Sequence, residues 1–286
     1  MDTRKEQFGK VFMLVMLIGA LLLASCSSRV SVGELQTESQ SVELGDAEEA
    51  NVEIEFGAGD LTVAGGAVKL LEADFTYNVA RLKPEVEYAD GRLAVQQPEA
   101  NGLPVLRDIE GFQNKWDLHL NSEVPMDLKV DVGAGTTDLL LAGLSLTRLD
   151  ISLGAGKSTI DLSGDWKRDL DVSIDAGAGE ILVRLPKEVG TRVEIETGFG
   201  TIKAPGLTKD GDVYTNAAYG ETETTLRVSL EAGIGQIILE VADEAAATPD
   251  YASITVELAQ QIQAAVDGAD TPGSAWRWWM TGICLV

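Results

Sequence analysis

The segment LDISLGAGKSTIDLSG, Leu149–Gly164, decides the fold because it joins two alternating stretches through a Gly-x-Gly. Before the glycines, apolar Ile151 and Leu153 alternate with polar residues, and after them Ile160 and Leu162 resume the alternation. An apolar residue at every second position is typical of a β-strand with one buried face. The segment therefore predicts a strand, a glycine corner and a second strand.

The same unit occurs six times along the chain, and each copy has its own glycine pair. The pairs are Gly57 and Gly59, Gly133 and Gly135, Gly154 and Gly156, Gly177 and Gly179, Gly198 and Gly200, and Gly233 and Gly235. From Gly133 to Gly198 the first glycines are separated by 21, 23 and 21 residues. A fixed period of about 20 residues indicates a solenoid, in which coils bury their apolar edges against one another. The sequence predicts an all-β, β-helix-like solenoid over residues 46–242, with the glycines at corners where backbones approach closely.

Two insertions interrupt this repeat. The first holds three stretches with strand character, ADFTYNVARL, PEVEYADGRLAVQQ and NKWDLHL, and Asp90-Gly91 within the second indicates a hairpin turn. The second is a polar loop over residues 206–225. Because loops carry function more often than the scaffold does, the regions 67–127 and 206–225 are the predicted contact regions.

The N-terminus has the features of a secretory signal, with basic residues followed by an apolar stretch, Val11–Leu23. Leu-Ala-Ser-Cys, ending at Cys26, resembles the lipobox of bacterial lipoproteins. That resemblance implies cleavage between Ser25 and Cys26 and acylation of the Cys26 thiol, which would hold the protein at a membrane. An uncleaved N-terminal anchor is the alternative. The choice between the cell membrane and an outer membrane stays open.

These features predict four parts of the chain. Residues 1–25 are the signal peptide, residues 26–45 a polar tether, residues 46–242 the solenoid, and residues 243–286 a linker, a short helix and a Trp-rich tail. Loss of residues 1–25 would leave 19 basic and 44 acidic side chains and a formal charge of −25. Such a surface repels nucleic acid and anionic lipid headgroups, so neither is a predicted partner.

The repeated GAG units, the upstream WDLHLNSEVP and the final GIGQIILEV resemble the toast-rack domains of LiaF-type envelope-stress proteins and of many adhesin-like proteins. The resemblance covers about residues 46–242. It implies a single-chain β-solenoid exposed outside the cytoplasmic membrane, which acts through other envelope proteins. It offers no catalytic residues.

The GAGKST stretch invites a phosphate-loop interpretation, but the residues contradict it. That motif needs a glycine five positions before Gly156, where Ile151 stands, and a helix after the Lys-Ser pair, where a strand pattern follows. The other five glycine pairs lack the lysine at the position of Lys157. We therefore predict no nucleotide and no cofactor. Asp60, after the first pair, resembles a calcium β-roll aspartate, but no other copy repeats it, and no metal site is predicted.

Outward-facing carboxylates are the remaining chemical candidate. If coils stack in sequence, Lys129, Asp150, Asp171, Glu194 and Arg227 fall in one column. Asp150 and Asp171 would then lie near the spacing of about 5 Å that retaining glycosidases use. The alternative function is therefore a glycan-cleaving enzyme with this pair. A third interpretation, cation buffering by the acidic face, also stays open.

The leading prediction is a non-enzymatic, lipid-anchored envelope protein whose solenoid binds another envelope protein or a surface. His119, the only histidine, is expected at the surface, so no histidine-based catalytic or metal site is expected. The tail residues Trp276, Trp278 and Trp279 could lie at a lipid interface or against a partner. With Cys26 acylated, Cys284 has no partner for an intrachain disulfide.

Overall fold

The computed structural model describes residues 32–97 and 111–242. Within them the chain forms strands and a single 3-10 turn, Ala80–Leu82. The strands are β1 (Gln36–Val42), β2 (Ala50–Ala67), β3 (Leu71–Tyr77), β4 (Glu85–Ala89), β5 (Arg92–Gln96), β6 (Asn114–Asn121), β7 (Met126–Leu140), β8 (Leu146–Asp161), β9 (Leu170–Leu185), β10 (Gly190–Lys203), β11 (Thr208–Asp210), β12 (Val213–Thr215) and β13 (Thr225–Val241). They form one 13-stranded sheet, and the predicted all-β fold is confirmed.

The predictions for both ends of the chain lie outside the described residues. These are the signal peptide over residues 1–25, the cleavage and acylation site at Ser25 and Cys26, and the tail over residues 243–286 with Cys284. Within the described ranges, no helix is long and apolar enough to cross a membrane.

The six strands with a glycine pair form the centre of the sheet. They are parallel and lie in the order β2, β7, β8, β9, β13, β10. β13 is the last of the described strands along the chain, yet it lies between β9 and β10, which are separated by only a short connection. The spacing of the glycines along the sequence does not predict this order, because the six repeats are alike and any two of them could pair edge to edge.

Each of these six strands folds across the core at its glycine pair. In β7 the buried residues are Met126, Leu128, Val130 and Val132 before the pair, and Thr137 and Leu139 after it. The buried positions are therefore even-numbered on one side of the pair and odd-numbered on the other. We call the part before the pair the first arm and the part after it the second arm; both arms bury apolar side chains in one core.

Contacts around Trp116 show that the two arms are opposite walls of this core. Trp116 lies on β6, which pairs with the second arm of β2. Its ring packs edge-on against Phe56, from the first arm of β2, with 5.0 Å between centroids. It also packs against Phe75 of β3 at 5.3 Å. Trp116, Leu118 and Leu120 are fully buried, as the alternation in NKWDLHL predicted.

The six glycine pairs align across the sheet in one glycine column, which leaves no room for a side chain. Gly156 lies beside Gly135, and a Cβ on Gly156 would be 1.9 Å from the Gly135 carbonyl oxygen. Gly156 also has a φ of +146°, which L-residues rarely adopt. The glycines are required both for the close approach of the strands and for the bend.

Shorter strands complete the walls on the β2 side. The first arm of β2 pairs with β5, and β5 pairs antiparallel with β4. The turn between β4 and β5 contains Asp90 and Gly91, with φ values of 51° and 78°. Positive φ at both central residues is the geometry of a tight hairpin turn, so this hairpin prediction is confirmed.

The predicted tether, residues 26–45, is wrong over Gln36–Val42. These residues form β1, which pairs antiparallel with β3 along its whole length. Tyr77 donates a hydrogen bond of 2.6 Å to Glu38, and Lys83 lies 3.0 Å from the same carboxylate. No side chain of β1 is fully buried, so its polar composition reflects an edge strand in contact with water rather than a flexible segment.

We expect Gly156→Val to abolish folding or to lower the free energy of unfolding by more than about 4 kcal/mol, because the backbone of the neighbouring strand at Gly135 must move to admit the side chain. Lys157→Ala removes only the exposed ion pair with Glu180, at 2.9 Å, and should change stability by less than about 0.5 kcal/mol. Thermal and denaturant unfolding followed by circular dichroism measures both effects.

Gly45→Ala is the control for backbone strain without crowding, because Gly45 has a φ of +67° and an added Cβ would have no neighbouring atom within 4 Å. It should cost about 1–2 kcal/mol. Equal stability of Gly156→Val and Gly45→Ala would show that the close approach of the strands is not a requirement of the fold.

Candidate functional site

A row of acidic side chains runs across the six central strands, next to the glycine column. Each member lies two residues before the first glycine of its strand, and the backbone register places the members opposite one another. In strand order they are Glu55, Asp131, Ser152, Asp175, Glu231 and Glu196, which we call the acidic row. Sequence reasoning missed this row because it aligned the repeats by their first apolar residue. Counting back from the glycines would have found it.

The acidic row lines a groove of about 1060 Å³. The first glycine of each pair forms part of its floor, and Gln97 lies at one end. Gln97 is buried, and its side-chain oxygen accepts a 2.8 Å hydrogen bond from the Gly57 N–H. Neighbouring strands are about 4.8 Å apart, so the row extends for about 24 Å. The arrangement is an open, elongated surface rather than an enclosed pocket.

Most carboxylates of the acidic row have no cationic partner. Lys129 contacts Asp131 at 2.9 Å and Glu53, outside the row, at 2.7 Å. These two hydrogen bonds raise the pKa of Lys129, that of Glu53 being the larger cause. Among the described residues no ion pair reaches the other four carboxylates of the row, which are Glu55, Asp175, Glu196 and Glu231.

The densest carboxylate cluster is at the β2 end of the row. Oxygens of Glu53, Glu55 and Asp131 lie within 4.8 Å of one another. The Lys129 ammonium already binds two of these three groups, so it supplies the positive charge that a metal ion would bring. This cluster is an ion-pair site of the protein itself.

The predicted column of Asp150 and Asp171 is wrong. Asp150 lies opposite Ser173, whereas Asp171 lies opposite Arg227, one row away. The cause is their distance from the glycines: Asp150 is four residues before Gly154, and Asp171 is six residues before Gly177.

Each of these two carboxylates also contacts an arginine. Arg148 binds Asp150 through two nitrogens at 2.7 and 3.2 Å, and Arg227 lies 3.6 Å from Asp171. Of the predicted column, Lys129, Asp150 and Glu194 do share a row, together with Glu53, Ser173 and Ser229.

The middle residues of the Gly-x-Gly units form an apolar ridge beside the acidic row. In strand order they are Ala58, Ala134, Ala155, Ala178, Ile234 and Phe199, which we call the corner ridge. Ile234 and Phe199 are cross-strand neighbours, and 61% and 78% of their surfaces are exposed. Lys157 lies just past the ridge, and β8 continues as a strand to Asp161, so no helix follows it as a phosphate loop requires.

The histidine predicted at the surface is half-buried. His119 lies on the outer side of β6, with Nε2 3.2 Å from Asp117 Oδ1 and Nδ1 3.4 Å from the Gly65 carbonyl oxygen. The hydrogen bond to Asp117 raises the pKa of His119 and lowers that of Asp117. The pair stabilises the second arm of the sheet and lies away from the acidic row.

The loop over residues 206–225 is more ordered than its polar composition suggests. It contains the short strands β11 and β12, and β12 pairs with β10. Asn216 is buried and donates hydrogen bonds to the carbonyl oxygens of Pro186 and Val189, at 2.9 and 2.7 Å. The amide of Thr191 donates to the Asn216 side-chain oxygen. The other predicted contact region, 67–127, is largely strand, and residues 98–110 within it lie outside the described residues.

Comparison with known proteins identifies the fold. The sequence profile of the N-terminal domain of toast_rack, DUF2154, matches residues 31–184, which is more than half of the chain. The chain belongs to the toast-rack family. The resemblance found in the sequence is therefore confirmed.

A crystal structure of a candidate cell adhesion protein from Clostridium sporogenes ATCC 15579 is similar to this toast-rack protein, with 32% identity and a TM-score of 0.70. The match covers 73% of this chain and 100% of the other. A candidate adhesin (BF0245) from Bacteroides fragilis NCTC 9343 matches 72% of this chain and 97% of its own, with 11% identity and a TM-score of 0.31. Among curated proteins, none matches the chain.

The His119–Asp117 pair predicts a pH dependence of stability. Because the pKa of His119 is raised in the folded state, its positive charge adds stability below the ordinary pKa of about 6.5, and this contribution is lost as the pH rises through the raised value. Asp117→Asn should therefore destabilise the protein more at about pH 5.5 than at about pH 8.5.

Denaturant unfolding at the two pH values measures this difference. Glu85→Gln, which removes an exposed carboxylate from β4, is the control and should have the same small effect at both values. A loss of stability in Asp117→Asn that is equal at both pH values would contradict a role for the His119 charge.

Proposed function

We propose that this protein is a lipid-anchored lipoprotein of the cell envelope, and that its toast-rack domain is a non-enzymatic binding scaffold for another envelope protein or a surface. In this proposal Cys26 carries the acyl chains, and the acidic row with its groove is the binding surface. A role in envelope-stress signalling belongs to the same proposal, because the family contains proteins that act through envelope partners.

The contrast between the acidic row and the neighbouring rows carries the proposal. Two rows away from the acidic row, Arg148, Arg192 and Arg227 share a row with carboxylates, and each of them contacts a carboxylate. In the acidic row, four carboxylates lack such a partner among the described residues, and three of these four lie on the adjacent strands β9, β13 and β10. Like charges on adjacent strands repel one another, and they lower the stability of the sheet. A positively charged partner that covers the row would remove this repulsion.

The alternative of glycan cleavage loses its geometric basis. The two carboxylates proposed for it lie in different rows, and each contacts an arginine, as in an ordinary surface network. A retaining mechanism needs a general acid in a desolvated site. The outer face of the first arms is open to water along its length.

The anchor part of the proposal is supported by the sequence at the N-terminus. The basic and apolar segments precede a lipobox-like Leu-Ala-Ser-Cys. Since β1 begins at Gln36, the linker between Cys26 and the sheet would be the ten residues 26–35. This is shorter than the predicted tether, and it would keep the domain near the bilayer.

The binding role is tested with the triple variant Glu55→Gln, Asp175→Asn, Glu231→Gln. Cross-linking in intact cells should capture much less partner with this variant than with the wild-type protein, because the charge that attracts the partner is reduced. The melting temperature should stay the same or rise, since repulsion along the row decreases.

A second triple variant, Glu123→Gln, Glu188→Gln, Glu221→Gln, changes the net charge equally at exposed positions in the connections before β7, β10 and β13, away from the row. It should capture as much partner as the wild type. Equal capture by both triple variants would exclude the acidic row as the binding surface.

The anchor is tested with Cys26→Ala. Without the thiol the protein should leave the membrane fraction or remain unprocessed, because two or more acyl chains are what make membrane binding stable. Cys284→Ala is the matched control and should stay with the membrane. Mass spectrometry of the N-terminal peptide measures the acylation; an unmodified Cys26 in membrane-bound protein would overturn this part of the proposal.

A further inference from the structure

The outer border of β10 is open over its second half. β13 covers one side of β10 along its whole length, and β12 covers the other side only at Arg192–Glu194. Beyond the hydrogen bond from the Ile195 N–H to the Asp212 carbonyl, no backbone partner among the described residues lies against the outer edge over Glu196–Lys203. Proteins usually block such an edge with prolines, bulges or short length. This one is eight residues long and contains no proline.

Exposed apolar side chains lie at this same border. On the four strands nearest β2, the corner ridge consists of alanines, but on the last two it consists of Ile234 and Phe199. These two are among the most exposed large apolar residues of the described chain. Exposure of these two apolar side chains to water is unfavourable, and they lie beside an open strand edge. Together these observations indicate that a partner covers this surface. At the same border Glu196 ends the acidic row, and no cationic side chain of the described residues pairs with it.

The glycine column defines what can pair with this edge. In the sheet order β2, β7, β8, β9, β13, β10, a Cβ on the second glycine of a strand from β7 onward would collide with the strand that stands before it in this order. For Gly235 the contact is 1.8 Å from the Gly179 carbonyl oxygen, and for Gly200 it is 2.1 Å from that of Gly235. A seventh strand that follows the bend would meet the Gly200 carbonyl in the same way. It must therefore have glycine at this position.

We propose that the open edge of β10, Glu196–Lys203, binds an extended segment of a partner polypeptide that adds as a seventh parallel strand and carries its own Gly-x-Gly. This inference rests on the proposed binding function and names the chemistry of the partner. The segment has a basic residue two positions before its first glycine, opposite Glu196, and an apolar residue between its glycines, beside Phe199. Main-chain hydrogen bonds supply affinity, and these two side chains supply specificity.

The chain itself does not provide this segment. Residues 1–31 and 243–286 contain no Gly-x-Gly, and residues 243–286 hold six acidic side chains and one basic side chain. In a second copy, five of the Gly-x-Gly units already lie inside the sheet and the sixth is on the open edge of β10, where parallel pairing of two β10 edges would place Glu196 against Glu196. Charge and the glycine requirement therefore both favour a different polypeptide.

Synthetic peptides test the proposal on the full-length protein. The probe peptide copies residues 230–239 of β13 with the change Glu231→Lys, so that its lysine faces Glu196 when it pairs with β10. A second peptide keeps Glu231, and a third combines Glu231→Lys with Gly235→Val. Fluorescence anisotropy measures their affinities for the wild-type protein and for Glu196→Lys, an exposed substitution that leaves the core unchanged.

The wild-type protein should bind the lysine peptide about fivefold more tightly than the glutamate peptide, and Glu196→Lys should reverse this order. The valine peptide should bind at least about tenfold more weakly than the lysine peptide. Phe199→Ala should weaken binding of every peptide that binds. Absence of binding, tolerance of valine, or an unchanged order in Glu196→Lys would each overturn the proposal.

The two proposals fail separately in these experiments. If the peptides do not bind but the acidic-row triple variant still loses its partner in cells, the edge site is rejected and the proposed binding function is retained. Peptide binding with the expected order supports the edge site, even where the triple variant captures its partner normally and the row is thereby excluded.

Discussion

The close approach of the strands at the glycine column is the constraint on which the rest of this structure depends. Six strands bend at the same place, and the carbonyl oxygen of each strand occupies the space that a Cβ of the next would need. The bend turns both arms of every strand toward one core, and it keeps all six strands in a single register. A strand that slipped by one residue would place a side chain against a carbonyl oxygen, so the column fixes the register more strictly than apolar packing does.

This register arranges the surface chemistry. Because each strand is aligned by its glycines, residues at equal distance from the glycines form straight rows on the outer face. One row contains both arginines and carboxylates, and another, next to the bend, is almost wholly acidic. This difference between the rows is the reason for which we propose the acidic row as the binding surface. The same alignment also places Asp150 and Asp171 in different rows, and it removes the geometric basis of a catalytic pair at these two residues.

Much of the fold could be predicted from the sequence, since apolar alternation and glycine pairs are local signals. The strands around Gly154 and Gly177, the buried face of β6 and the hairpin at Asp90-Gly91 all followed from such signals. The position of β13 between β9 and β10 could not be predicted, because it depends on which edges meet in space. β1 was missed because an edge strand without buried side chains has the composition of a linker. The acidic row was missed for a simpler reason: the repeats were aligned by their apolar residues, whereas the structure aligns them by their glycines.

The insertion of β13 has a consequence for the order in which the chain can fold. β9 and β10 are made one after the other, but neither can complete its hydrogen bonding until β13 has been synthesised. Val193 and Ile195 of β10 therefore have no neighbour on the β9 side while residues 225–241 are still absent. Pairing between distant parts of a chain is slow, and open strand edges favour aggregation while it is incomplete. A nascent chain with this topology is thus held in an unclosed state until β13 arrives, and its central sheet closes only after residues 225–241 have been made.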